Sequence, residues 1–143
     1  MTRFNYNTVF PTVEEVGPRT WGREELLGLV PQKFSFKRLE IRAGHKGGLQ
    51  YHHKKDEIAI LISGSLLVRY DLGDGQLVER IVNEGEVVHF PPLLVHQEEA
   101  ITDCVLIEAS TPFFNDRVRV ESLYGLEIRD GLPTTSIDEI IEK

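Results

Sequence analysis

The chain has 143 residues, enough for one domain with one sizeable core. Its 41% hydrophobic and 27% charged residues argue against a disordered chain. The formal net charge of -7, with no large Lys/Arg cluster, argues against nucleic acid and against anionic membrane surfaces as partners. A phosphorylated small molecule stays open, because a few local cations or a metal suffice to hold one phosphate.

Residues 1–20 read as an irregular arm broken by Pro11, Gly17 and Pro18, either loose or docked on a partner subunit. Met1–Tyr6 has no apolar signal-peptide core, and no apolar stretch approaches a membrane span. Trp21–Leu27 fits a turn and strand or one helical turn. From Lys33 the pattern is β. Phe34, Phe36, Leu39 and Ile41 alternate imperfectly up to Ala43-Gly44, and Leu49–His53 reads as a second strand. Ile58–Ile62 is almost wholly apolar, as in a strand buried on both faces or at a subunit interface. It ends at Ser63-Gly64, and Ser65–Leu72 returns. Gly73-Asp74-Gly75 is a turn signal, with Leu77–Val82 as the partner strand. Val87–Phe90 runs into Pro91-Pro92, and Val95–Ile101 and Cys104–Ser110 follow. Ser136–Glu139 has capping-box spacing and predicts a short helix over 136–142. Short strands punctuated by Gly and Pro predict an all-β barrel or sandwich in one domain.

Cys104 is the only cysteine, so no internal disulfide can form. It sits in an apolar run as a small buried hydrophobe, and a cytoplasmic location fits a lone thiol.

The chemistry concentrates in two segments, Gly44–Gly64 and Gly85–His96. Residues two apart on a strand share a face, so Gln50 and His52 point one way while Tyr51 and His53 point the other. A turn through Lys54-Lys55-Asp56 lets Glu57 re-enter from the neighbouring strand, and His96 begins a later strand after the proline turn. If both hairpins face one barrel, an amide oxygen, two imidazoles and a carboxylate converge. That donor set suits one divalent ion such as Zn, Mn, Fe, Ni or Co. With a single anionic ligand, the ion keeps net positive charge.

These segments resemble the two motifs of the cupin family. Gly44, Gln50, His52, Glu57 and Gly64 keep the spacing of the first, with Gln in place of its first His. Gly85, Pro91 and His96 keep that of the second, where Leu93 stands for a Gly and Ala100 for an Asn. The Gln-x-His variant, Trp21-Gly22, Leu49–His53, Ile107–Ser110, Arg119-Val120-Glu121 and Tyr124-Gly125 resemble the C-terminal isomerase domain of type II mannose-6-phosphate isomerases. That domain is commonly fused to a guanylyltransferase. The resemblance spans roughly residues 19–126. It implies a jelly-roll-type double-stranded barrel over 21–126, an arm at 1–20 and a tail with the short helix at 127–143. It also implies a homodimer and a cytoplasmic metal-dependent isomerase or epimerase of a sugar or sugar phosphate.

Lys55 lies where the family places a cation near the mouth, and Arg119 where it carries an arginine. Both are candidate catalytic residues. Lys55 also reads as part of a solvated turn, and Arg119 as an ion-pair partner of Glu121 or Glu108. His45 in its Gly-rich loop reads as solvated, His53 as outward-facing and His89 as structural. Two other functions fit the residues: a sugar- or small-molecule-binding barrel without turnover, and an iron dioxygenase using His52, Glu57 and His96. An aromatic-lined pocket favours the dioxygenase, and a polar one with Arg119 turned inward favours a sugar.

Overall fold

Gly and Pro set the strand ends, and strand closure sets everything else. The computed structural model describes residues 1–128 and 131–143. A single helical turn, α1 (Tyr6–Val9), is capped by the Asn5 side chain. Eleven strands follow: β1 (Glu14–Val16), β2 (Gly22–Val30), β3 (Phe34–Ile41), β4 (Gln50–Tyr51), β5 (Glu57–Ser63), β6 (Leu66–Asp71), β7 (Val78–Val82), β8 (Val87–Phe90), β9 (Val95–Ala100), β10 (Cys104–Ser110) and β11 (Val118–Arg119). They form two antiparallel sheets, ordered β1-β2-β3-β10-β5-β8 and β11-β4-β9-β6-β7. No helix among the described residues is long and apolar enough to cross a membrane.

The inner faces of the two sheets supply the core. Leu61, Leu66, Val68, Phe90, Cys104 and Leu106 are buried there in one cluster. Each fully buried Leu contributes roughly 1.5–3 kcal/mol by leaving water. Cys104 is buried as expected. Period-2 alternation is strict on β10, where Cys104, Leu106, Glu108 and Ser110 face inward. On β5, Glu57, Ala59 and Leu61 face inward while Ile58 and Ile62 are exposed, so this strand is buried on one face only.

Two turns show their backbone demands. Gly64 has φ +98°, and a Cβ there would lie 2.2 Å from the Asp103 carbonyl oxygen, so no side chain fits. Leu93, standing where the family motif has Gly, has φ +72°. A non-glycine residue pays about 1–2 kcal/mol for that conformation. The Leu93 side chain is 65% exposed and loses little packing on removal. Leu93→Gly should therefore raise stability by up to about 1 kcal/mol, after glycine's own entropic cost of roughly 0.5–1 kcal/mol. Chemical denaturation of both proteins checks this.

The two ends depart from the sequence reading. The arm is not wholly irregular, because β1 pairs with the edge of β2 and α1 precedes it. The expected helix at 136–142 is a single 3-10 turn, Ile137–Glu139. The Ser136 hydroxyl donates to the Glu139 carboxylate at 2.8 Å and makes no capping bond to the backbone. Tertiary hydrogen bonds win over the helix. Ile141 N–H donates to Asn115 Oδ1, Lys143 N–H to the Pro112 carbonyl, and Glu142 bridges Phe113.

Candidate metal centre

Residues brought together by closure of the barrel lie at one end of the space between the sheets. Gln50 on β4 lies directly opposite His96 on β9 in the ladder, and β9 carries His96, Glu98 and Ala100 on one face. His52 follows β4, and Glu57 opens β5. His52, Glu57 and His96 each place one donor atom within 4.8 Å of the others, and all three are buried. Glu57 Oε1 lies 3.1 Å from His52 Nε2 and 3.6 Å from His96 Nε2. Gln50 lines the same cavity of about 240 Å³.

The hydrogen bonds around the imidazoles fit a metal site. His52 Nδ1 donates to the Asp116 main-chain carbonyl, and His96 Nδ1 donates to the Leu94 carbonyl at 2.9 Å. Each carbonyl fixes the tautomer, leaving Nε2 of both rings as a lone-pair donor aimed at Glu57. Phe90 stacks on His96 at 4.0 Å with planes 9° apart, which holds the ring's tilt. Burial lowers the His96 pKa to about 4, so the ring is neutral at pH 7, the form that ligates metal.

Lys55 does not point to solvent. Its ammonium is buried 3.1 Å from Glu57 Oε2 and 3.4 Å from Glu108 Oε1. Burial alone would lower its pKa, but Glu108 and Glu57 outweigh it and raise the value, so Lys55 is a held cation. Glu57 answers in kind: burial pushes it up, and the Lys55 ammonium above all brings it well below the usual carboxylate range. Arg119 pairs with Glu121, both side chains being almost wholly buried. It borders a larger outer cleft of about 780 Å³ that also reaches Gln50, His52 and Lys55. His45 is not free in solvent. It stacks on Trp21 at 5.7 Å and lines the inner cavity. His89 is exposed and paired with Asp56 at 2.7 Å. His53 is half-buried, edge-on to Tyr51 at 5.7 Å between ring centres.

Three further residues belong to the site. Glu98 lines the cavity beside His96 and makes no side-chain hydrogen bond among the described residues. Burial, reinforced by Glu57 and Glu108, pushes its pKa to about 8. Glu108, on the inner face of β10, is pushed to about 7 by burial and Glu57. Strand parity with His96 and Leu106 was the available signal for both. Asp116 is the third. Its carboxylate accepts the main-chain N–H of His53, Lys54 and Lys55 at 2.6–2.9 Å. Nothing local in the sequence marks it.

Known proteins of similar structure share this architecture. Capsular polysaccharide assembling protein CapF from Staphylococcus aureus superposes with a TM-score of 0.66 at 22% identity, over 82% of this chain and 35% of that one. KdgF from Halomonas sp. superposes with a TM-score of 0.59 at 15% identity, covering 68% of this chain and 85% of that one. A Streptococcus pyogenes protein of unknown function, SPY1581, gives 0.51 at 16%, over 61% and 70% of the two chains. The chain thus spans about a third of the length of CapF. No curated protein matches it. The sequence model for the cupin family matches residues 7–115, which takes in both motif segments and every residue of the His52–Glu57–His96 cluster, and the chain belongs to that family.

Proposed function

We propose that the protein is a metal-dependent isomerase or epimerase of a sugar or sugar phosphate. The observation that carries this reading is the set of charged and amide side chains that share the cavity with the cluster, set among Leu39, Ile41, Leu66 and Ala100. Gln50, Lys55, Glu98 and Glu108 face the same space as His52, Glu57 and His96, with Trp21 and His45 as its aromatic rings. A polyhydroxylated ligand supplies partners for such groups, whereas a dry aromatic substrate leaves them unpaired. The proposed ligands of one divalent ion are Gln50, His52, Glu57 and His96. Such an ion supplies Lewis-acid polarisation of a bound oxygen.

The remaining roles belong to side chains of the chain itself. Lys55, held protonated between two carboxylates, donates hydrogen bonds and positive charge rather than acting as a base. The Glu98 carboxyl lines the cavity with no side-chain hydrogen bond among the described residues and is placed to exchange a hydrogen bond, or a proton at its Oε, with a ligand hydroxyl. Arg119 walls the outer cleft, its guanidinium oriented by Glu121.

The test is elemental analysis of gently purified protein, followed by isomerisation assays on hexoses and hexose 6-phosphates with the metal it retains. About one ion per chain and interconversion of an aldose–ketose or epimer pair is the expected result. A metal-bearing protein that binds sugars without turnover points to the binding module instead. No metal after adding back divalent ions sinks the reading. Light scattering on the same preparation tests the proposed homodimer, for which Phe36, Ile58, Ile62 and Val87 form an exposed apolar stripe on the outer face of the larger sheet.

A further inference from the structure

The wall of the outer cleft carries an excess of positive charge that the metal site does not use. Arg19, Arg117 and Arg119 all border it, in a chain whose net charge is -7. Two of the three are matched. Arg19 Nε lies 3.3 Å from Glu24 Oε1, although Glu24 also serves Lys37 at 3.2 Å. Arg119 pairs with Glu121. Arg117 has no carboxylate partner among the described residues; its Nη1 donates only to the Pro133 carbonyl, at 3.0 Å. The nearest acid in sequence, Asp116, turns its carboxylate to the main-chain N–H groups of His53, Lys54 and Lys55. Glu127, on the same wall, is exposed and makes no ion pair among the described residues.

Gathering guanidinium groups costs free energy through mutual repulsion, most of all where burial weakens screening. The effect is visible at Arg117: burial, then Arg19 and Arg119, lowers its pKa from the usual arginine value. An anion in the cleft removes that cost and satisfies the fork of donors that Arg117 still offers. The cleft and the inner cavity share Gln50, His52 and Lys55 as lining, so one ligand spans both.

We propose that Arg117, supported by Arg19, forms an anion subsite at the mouth of the barrel, which takes the phosphate or carboxylate of a ligand whose hydroxylated part lies in the inner cavity. The chemistry is that of a sugar phosphate or a sugar acid. This rests on the sugar reading for the hydroxylated part only. The anion subsite itself stands on the arginine cluster.

The test is equilibrium binding by the purified, metal-bearing chain of three probes: mannose 6-phosphate, glucuronate and neutral mannose. A parallel arm follows stabilisation by inorganic phosphate in a thermal melt. At least one anionic probe should bind ten-fold or more tightly than mannose. Arg117→Gln should erase that preference to within about two-fold while leaving mannose affinity unchanged, and Arg19→Gln should weaken it in the same direction. Which anion wins separates the sugar phosphate from the sugar acid. Inorganic phosphate should raise the melting temperature of the wild type and not of Arg117→Gln. Anionic preference that survives Arg117→Gln places the subsite elsewhere and overturns the proposal. Equal binding of all three probes also overturns it. Failure of all three sugars to bind sinks the sugar reading alone if phosphate stabilisation still depends on Arg117, and overturns both if it does not.

Discussion

Glu57→Gln should empty the metal site and destabilise the fold at the same time. The metal content of the purified protein should fall from about one ion per chain to below about a tenth, because Glu57 is the one anion in the proposed ligand set and the atom on which both Nε2 groups converge. Any isomerase activity should fall by at least about a thousand-fold. The stability loss has a separate origin. Lys55 is buried between Glu57 and Glu108, and removing one carboxylate leaves a buried cation half-compensated. Breaking a buried pair by deleting one partner costs about 3–5 kcal/mol. A double-mutant cycle separates the two effects. Lys55→Met in the Glu57→Gln background should recover stability, in urea unfolding, and should not restore metal. Recovery of metal would show that Lys55, rather than the lost carboxylate, controls ligation.

The strands were legible because the breakers sit where they end. Pro91-Pro92 ends β8, Ser63-Gly64 ends β5, and Gly73–Gly75 separates β6 from β7, so the expected segments from Phe34 to Ser110 match β3–β10 to within a residue or two, whereas the short β1 and β11 carry no such signal and β2 runs to Val30, past the expected Leu27. The convergence of His52, Glu57 and His96, with Gln50 lining the same cavity, was legible from the spacing: turns of fixed length bring the three together. The burial of Lys55, which also reads as part of a solvated turn, and the inward placement of Glu98 and Glu108 were not legible. A charged residue beside a turn or on a strand reads as solvated until a second sheet is known to close over it, and that closure is a property of the whole chain. Lys55 enters the barrel only because Glu57 and Glu108 are already there to receive it. The C-terminal segment failed for a related reason. A local capping pattern around Ser136 is worth about 1 kcal/mol, and the several hydrogen bonds from Ile141, Glu142 and Lys143 to residues 112–115 exceed it.

Asp116→Ala should have the largest effect of any residue outside the proposed ligand set and its Lys55–Glu108 neighbours. The Asp116 side chain is 3% exposed and accepts three consecutive main-chain N–H groups, which fixes the 53–55 turn between His52 and Glu57. Its own carbonyl fixes the His52 ring. Alanine leaves three donors of that turn without partners, a loss of about 3 kcal/mol that should appear as a fall in melting temperature of about 10 °C. Metal affinity should drop by roughly 10–100-fold, since the turn and the His52 ring are positioned from the same residue. The pH dependence follows from the carboxyl. Burial alone would push its pKa up, but the three N–H donors, with His52 nearby, outweigh it and hold it below the usual carboxylate range. A depressed folded pKa stabilises the protein fully above the unfolded carboxylate value of about 4, and that stabilisation is lost as pH falls through the folded value. The gap in stability between wild type and Asp116→Ala, measured by urea unfolding, should therefore be constant above about pH 5 and narrow in acid. A gap that stays constant down to pH 3 would mean that the turn is held by something other than the Asp116 charge.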